Sequence, residues 1–210
     1  TVTAPPTAGS LSGTQAICAN GSTTFTPTVL GGSWSTSNPL IATVAGGIVS
    51  GVGAGTATIT YTIAGTGGCA DAATTRTVTV TAVPTAGVLS GTQGVCIAGS
   101  STFSSTVPGG TWVSSDNTIA TITSGGSISA VAAGTATMTY TITGTGGCSD
   151  VTAARIVTVT AAPSAGVLSG SQNICANGNT TFTSTVIGGT WSSGSVGIAT
   201  INSLTGVITG

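Results

Sequence analysis

Apolar and hydroxyl-bearing residues alternate along this chain with a period of two. In TATITYTI (56–63), Ala57, Ile59, Tyr61 and Ile63 share one side of an extended backbone and Thr56, Thr58, Thr60 and Thr62 the other. That is the pattern of a half-buried strand. RTVTVTA (76–82) repeats it, with Val78, Val80 and Ala82 opposite Thr77, Thr79 and Thr81. STTFTPTV (22–29) and GSWSTS (32–37) predict shorter strands carrying Phe25 and Trp34. IATV (41–44) and GIVSGV (47–52) predict two more, split at Gly46-Gly47. No segment carries the apolar stripe of a helix. Roughly seven short strands broken by Gly-rich turns predict an all-β, two-sheet sandwich.

The pattern recurs with a long period. Cys18, Cys96 and Cys175 are spaced by 78 and 79 residues, and Phe25, Phe103 and Phe182 and Trp34, Trp112 and Trp191 keep the same intervals. Cys69 returns as Cys148, Tyr61 as Tyr140, and Asp71 and Arg76 as Asp150 and Arg155. A period this long suits a small β-domain better than one coil of a solenoid. Pro6, Pro84 and Pro163 mark the starts, since proline ends a strand's ladder. The expected organisation is the end of a preceding repeat at 1–5, then repeats at 6–83, 84–162 and 163–210, the last without its final strands. TVTAPPTAG at the start copies the interior phrase TVTAVPTAG, which predicts a window within a longer array. Phe25, Trp34, Tyr61, Phe103, Trp112, Tyr140, Phe182 and Trp191 are the expected core aromatics.

Composition narrows the function. Only 2% of the residues are charged, with two Arg, three Asp and no His, against about 25% in an average domain. Two arginines cannot neutralise a run of phosphates, so nucleic acid is excluded as a partner. No paired carboxylates sit among basic groups and there is no His to activate a Ser or Cys, so no catalytic, cofactor or metal site is expected. Mean hydropathy is positive, yet no apolar run approaches the roughly 20 residues of a spanning helix. Three scattered Asp do not make a calcium site. Asp71 and Arg76 are expected to form a local ion pair.

The run GGSWSTSNPLIATVAGGIVSGVGAGTATITYTI (31–63) resembles the bacterial Ig-like domain of group 2, with its Trp-Ser strand, its ATV strand and its G-x-V-x-G-V-x-A-G-T-A-x-I phrase. The match returns at 109–142 and in part at 188–210. The phrases ending in Cys18 and the GTGGC at 65–69 are similar to repeats of very large Bacteroidota surface proteins, including adhesins and gliding-associated filaments exported by the type IX system. The resemblance implies tandem immunoglobulin-like sandwiches in an extracellular, cell-surface stalk.

Given that fold, the cysteines can be placed. Successive strands run up and down, so Cys18, just before the second strand, lies at the opposite end from Cys69, just after the sixth. A strand of eight residues spans roughly 26 Å, while a disulfide needs its Cα atoms within about 7 Å. The preferred pairing is therefore between repeats, Cys18 with Cys148, with the partners of Cys69, Cys96 and Cys175 outside the window. The pairs Cys18–Cys69 and Cys96–Cys148 are the alternative, and they require a different strand arrangement.

These readings predict a structural rod whose partners are neighbouring repeats and further copies in a fibre. The alternative is a carbohydrate- or ice-binding module, suggested by the T-x-T faces, although a half-buried strand lacking charges uses outward Thr anyway. So few charges predict poor solubility, which O-glycan on the Ser and Thr faces would relieve. Asn20-Gly21-Ser22 and Asn179-Thr180-Thr181 match the N-glycosylation pattern by chance.

Overall fold

The computed structural model describes residues 2–210, which form strands and turns, with no helix among the described residues. They divide into two compact units, Thr1–Thr160 and Ala161–Gly210.

Unit one begins with β1 (Leu11–Ser12), β2 (Ala16–Cys18), β3 (Ser22–Thr24), β4 (Thr26–Pro27) and β5 (Ser33–Thr36). β6 (Ala42–Ala45), β7 (Ile48–Gly51), β8 (Gly55–Ile63) and β9 (Ala72–Thr81) follow. One sheet has the order β2-β9-β8-β5 and the facing one β3-β7-β6, with β1 paired to β4. β2 lies parallel to β9, and every other pairing is antiparallel. This two-sheet order is that of an immunoglobulin-like sandwich. The same order returns in β10 (Leu89–Ser90), β11 (Gly94–Cys96), β12 (Ser100–Thr102), β13 (Ser104–Ser105) and β14 (Thr111–Ser114). β15 (Ala120–Ile122), β16 (Ser127–Ala130), β17 (Gly134–Ile142) and β18 (Val151–Thr160) complete that second sandwich.

The core follows the alternation. Ala57, Ile59 and Tyr61 on β8 and Val78 and Val80 on β9 are sealed against Phe25, Ala42 and Val49 of the facing sheet, while the intervening Thr point outward. Each buried Ile, Val or Phe side chain contributes about 1.5–3 kcal/mol by leaving water. Tyr61 and Tyr140 pack tilted against Trp34 and Trp112, at 4.7 and 4.8 Å between ring centroids.

Several expectations need correction. β9 starts at Ala72, ahead of the expected Arg76, because Ala72–Thr75 pair with the far end of β8. The strand expected at 22–29 is two, β3 and β4, interrupted at Phe25, whose N–H donates to the Gly47 carbonyl (2.8 Å) at the end of the β3–β7 pairing. Its two halves pair with different strands, β7 and β1. Ala82 is exposed. Phe25, Tyr61, Phe103, Trp112 and Tyr140 are buried, but Trp34, Phe182 and Trp191 are only half-buried.

Unit two holds β19 (Leu168–Ser169), β20 (Asn179–Thr181), β21 (Thr183–Ser184), β22 (Thr200–Ile201) and β23 (Val207–Thr209). They form a β20-β23-β22 sheet and a β19-β21 pair. Within this unit no four-stranded sheet faces Phe182 and Trp191, which is why those rings stay half-open.

Candidate functional site: the cysteine junction

Cys18 is placed by the parallel pairing of β2 with the end of β9, where it stands opposite Thr81. The Ala19 N–H donates to the Thr81 carbonyl (2.8 Å), and Gln15 locks the approach. Its backbone carbonyl accepts from the Thr79 N–H (2.7 Å) and its side-chain Nε2 donates to the Thr77 carbonyl (3.0 Å). Cys18 therefore sits where β9 leaves the first sandwich.

Cys148 closes the tight turn between β17 and β18. Its N–H donates to the Thr145 carbonyl (3.1 Å), and Asp150 Oδ1 accepts the Gly144 N–H (2.8 Å). The turn needs glycine twice over. Gly146 and Gly147 have φ of 60° and 88°, which L side chains rarely adopt. A Cβ on Gly146 would lie 2.0 Å from Thr81 Oγ1, and one on Gly147 3.1 Å from the Ala16 carbonyl oxygen. The bare backbone of this turn thus seats directly on β2 and the end of β9. There Cys18 and Cys148, 130 residues apart, form a disulfide with their Cα atoms 4.7 Å apart. The Cys148 sulfur packs 3.7 and 3.5 Å from the Thr81 and Ala82 carbonyl oxygens.

The other cysteines occupy equivalent places. The Cys69 thiol, half-buried, donates to the Thr3 carbonyl at 3.6 Å, and Gly67 faces the Thr3 side chain as Gly146 faces Thr81. In sequence Thr3 corresponds to Thr81, so Thr3 meets the Cys69 turn as Thr81 meets the Cys148 turn. Cys96 pairs in register with Thr160, as Cys18 does with Thr81, and its free thiol is exposed. Cys175, also free and exposed, lies in unit two beside a turn closed by the Gly178 N–H on the Cys175 carbonyl (2.8 Å). Cys18 and Cys69 flank opposite ends of β9, whose ten residues span about 33 Å. The structure does not bring them together, nor Cys96 and Cys148.

The expected Asp71–Arg76 pair is not made. Asp71 Oδ1 accepts the Gly65 N–H (2.9 Å). Arg76 reaches across the sandwich to the Leu11 and Gly13 carbonyls (2.9 and 2.7 Å), with its guanidinium 5.5 Å from the Phe25 ring centroid. Arg155 does the same toward Leu89, Gly91 and Phe103. The roles of Gln15 and Arg76 were missed in the sequence; their recurrence as Gln93 and Arg155 was the available signal. The Asp116 carboxyl is held below the usual range, chiefly by the Thr118 hydroxyl and then its N–H. Among the described residues no three His, Cys, Asp or Glu cluster as a metal site would require, and no helix is long and apolar enough to cross a membrane.

No family model and no curated protein matches the chain. Among solved structures it is similar to a C-terminal 282-residue fragment of intimin, crystallised with the intimin-binding domain of the translocated intimin receptor. That likeness has 12% identity and a TM-score of 0.48 over 73% of this chain and 64% of the fragment. It is also similar to domains 1–6 of the surface layer protein SbsC, at 18% identity and a TM-score of 0.35, over 85% of this chain and 31% of that one. Domains 4 and 5 of SbsC align at 18% identity and a TM-score of 0.34, over 73% of this chain and 99% of theirs. The chain thus spans less than two thirds of the first two. Its class, an all-β protein of immunoglobulin-like sandwiches, rests on its own strand order.

Proposed function

We propose that this chain is a structural segment of an extracellular stalk or filament of a bacterial surface, an adhesin-type rod without catalysis, in which each sandwich is covalently joined to the next. The observation that carries the reading is the Cys18–Cys148 disulfide, which ties two sandwiches together across a seated turn. Disulfides persist in oxidising, extracellular settings. In this reading the repeats run 6–83, 84–162 and 163–210. Cys69, Cys96 and Cys175 make the same joint with cysteines of further repeats, and the group 2 bacterial Ig-like resemblance supplies the surface context. Hydroxyls on the outward strand faces are the proposed sites of O-glycan.

A Thr array for ice or carbohydrate is less well supported. The outward face of the first sandwich pairs Thr56, Thr58 and Thr60 with Thr79, Thr77 and Thr75, but the second interrupts it with Val113 and Ile156, 61% and 50% exposed.

A joint of this kind changes how the chain bears tension. A pull on its ends passes through the disulfide and bypasses the chain between Cys18 and Cys148, which stand 130 residues apart. Stretching single molecules before and after reduction tests this. Reduction is expected to release an additional length of about 450 Å, at 3.3–3.6 Å per residue. An unchanged contour length would refute the reading.

A further inference from the structure

The joint between the two sandwiches of unit one has two halves, and each is built by its own sandwich. On the first, parallel pairing with β9 sets Cys18 opposite Thr81, and Cys96 takes the same register opposite Thr160 as a free thiol. That half is therefore complete without a disulfide. On the second, the Cys148 turn is closed by its own hydrogen bonds, from the Cys148 N–H to the Thr145 carbonyl and from the Gly144 N–H to Asp150.

What brings the halves together is shape. Gly146 lies against the Thr81 side chain. A Cβ on Gly147 would stand 3.1 Å from the Ala16 carbonyl oxygen and 3.2 Å from Ile17 Cα, backbone atoms with no rotamer to yield. The turn of Cys69 repeats the fit. A Cβ on Gly67 would stand 2.5 Å from Thr3 Oγ1, and the sulfur there is a thiol that donates to the Thr3 carbonyl (3.6 Å). The seat is thus made with a thiol as well as with a disulfide. A crevice of about 240 Å³, walled by Thr14, Cys18, Ser22, Thr23 and Gly147 among others, opens beside it.

We infer that the turn docks on its seat before the sulfurs are joined, and that Gly146, Gly147 and Thr81 are positioning residues that select Cys148 as the partner of Cys18. The oxidant is a small disulfide of the glutathione class, admitted at the crevice. One cysteine thiolate attacks it, forming a mixed disulfide and releasing one thiolate. The second cysteine attacks the mixed disulfide, forming the Cys18–Cys148 bond and releasing the other. Two electrons pass from the protein thiols to the oxidant, and their two protons end on the released thiols. With the turn seated, the second step joins groups already in place, so it outruns exchange with the other thiols of the chain. The inference rests on the reading of this disulfide as a joint between repeats.

The test is the redox equilibrium of the full chain with reduced and oxidised glutathione, the Cys18–Cys148 peptide being quantified by mass spectrometry after acid quenching and alkylation. A flexible tether gives an effective concentration of the order of millimolar, and the seated pair should exceed that at least about tenfold. Gly147→Ala, which pushes the turn against the backbone of β2, and Thr81→Phe, which fills the seat without touching the turn, should each lower it at least about tenfold. Gly109→Ala, at a φ of 91° with nothing within 4 Å, carries similar backbone strain and should leave it unchanged. Hydrogen exchange at β8 and β17 checks that each variant keeps its sandwiches folded, and where one seat variant disturbs that exchange the other decides. A tether-like value for the unaltered chain would overturn the inference. So would values indifferent to the seat variants, or reoxidation that scatters Cys18 among Cys69, Cys96 and Cys175. Absence of the Cys18–Cys148 bond from the native protein would overturn the joint itself as well.

Discussion

Asn20, Ala98 and Asn177 occupy one equivalent position, the turn after the cysteine of β2, β11 and the corresponding segment of unit two, with φ of 67°, 62° and 64°. Asparagine tolerates this left-handed conformation; alanine pays about 1–2 kcal/mol for it. Ala98→Gly is therefore expected to stabilise unit one by about 1 kcal/mol, after the entropic cost of glycine in the unfolded chain. A raised denaturation midpoint checks this, and a lowered one contradicts it. Asp116 offers a second case. Its carboxylate accepts from Thr118, while at the equivalent position Asn38 Oδ1 accepts the Leu40 N–H (3.0 Å) with no charge. Because the folded Asp116 is held below the ordinary carboxylate range, its contribution is present above that range and lost as pH falls through the lowered value. Asp116→Asn should abolish that acid-side dependence while leaving neutral-pH stability nearly unchanged, which denaturation at pH 7 and in acid would check.

Among elements, β8, with Ala57, Ile59 and Tyr61 buried, and β17, with Ala136, Met138 and Tyr140 buried, were the easiest to read, because nine residues of strict alternation leave little choice of face. The three-residue β2 and β11 leave no period to detect, so the parallel pairing that places Cys18 was not legible; the fold resemblance gave only the end of the sandwich at which Cys18 lies. The half-open Trp191 was not legible either, since periodicity marks a face as apolar without saying whether another sheet covers it. Nor was the reach of Arg76, which depends on β1 crossing above β9's inner face rather than on the nearby Asp71. Tyr140 ties β17 to the turn before β14 through its hydroxyl. Tyr140→Phe keeps the ring against Trp112 but orphans the Gly110 N–H, at a cost of about 1–3 kcal/mol. Chemical denaturation of the variant would show it, and wild-type stability would mean the hydroxyl bridge is dispensable.

At the scale of the molecule, a chain with five charged residues relies on its two sealed cores and on hydroxyls facing water. What joins those cores is the seating of the GTGGC turn on the neighbouring sandwich, with glycine backbone in close contact and cysteine beside it. Thr3 against Cys69 repeats that seating. The repeat phrase carrying Cys18 was plain in the sequence; the glycines' part in the joint emerges only when the turn is seen lying on Thr81. Non-reducing peptide mapping by mass spectrometry on protein from its native source tests the joint most directly. The account predicts a peptide linking Cys18 to Cys148; a peptide linking Cys18 to Cys69 would contradict it.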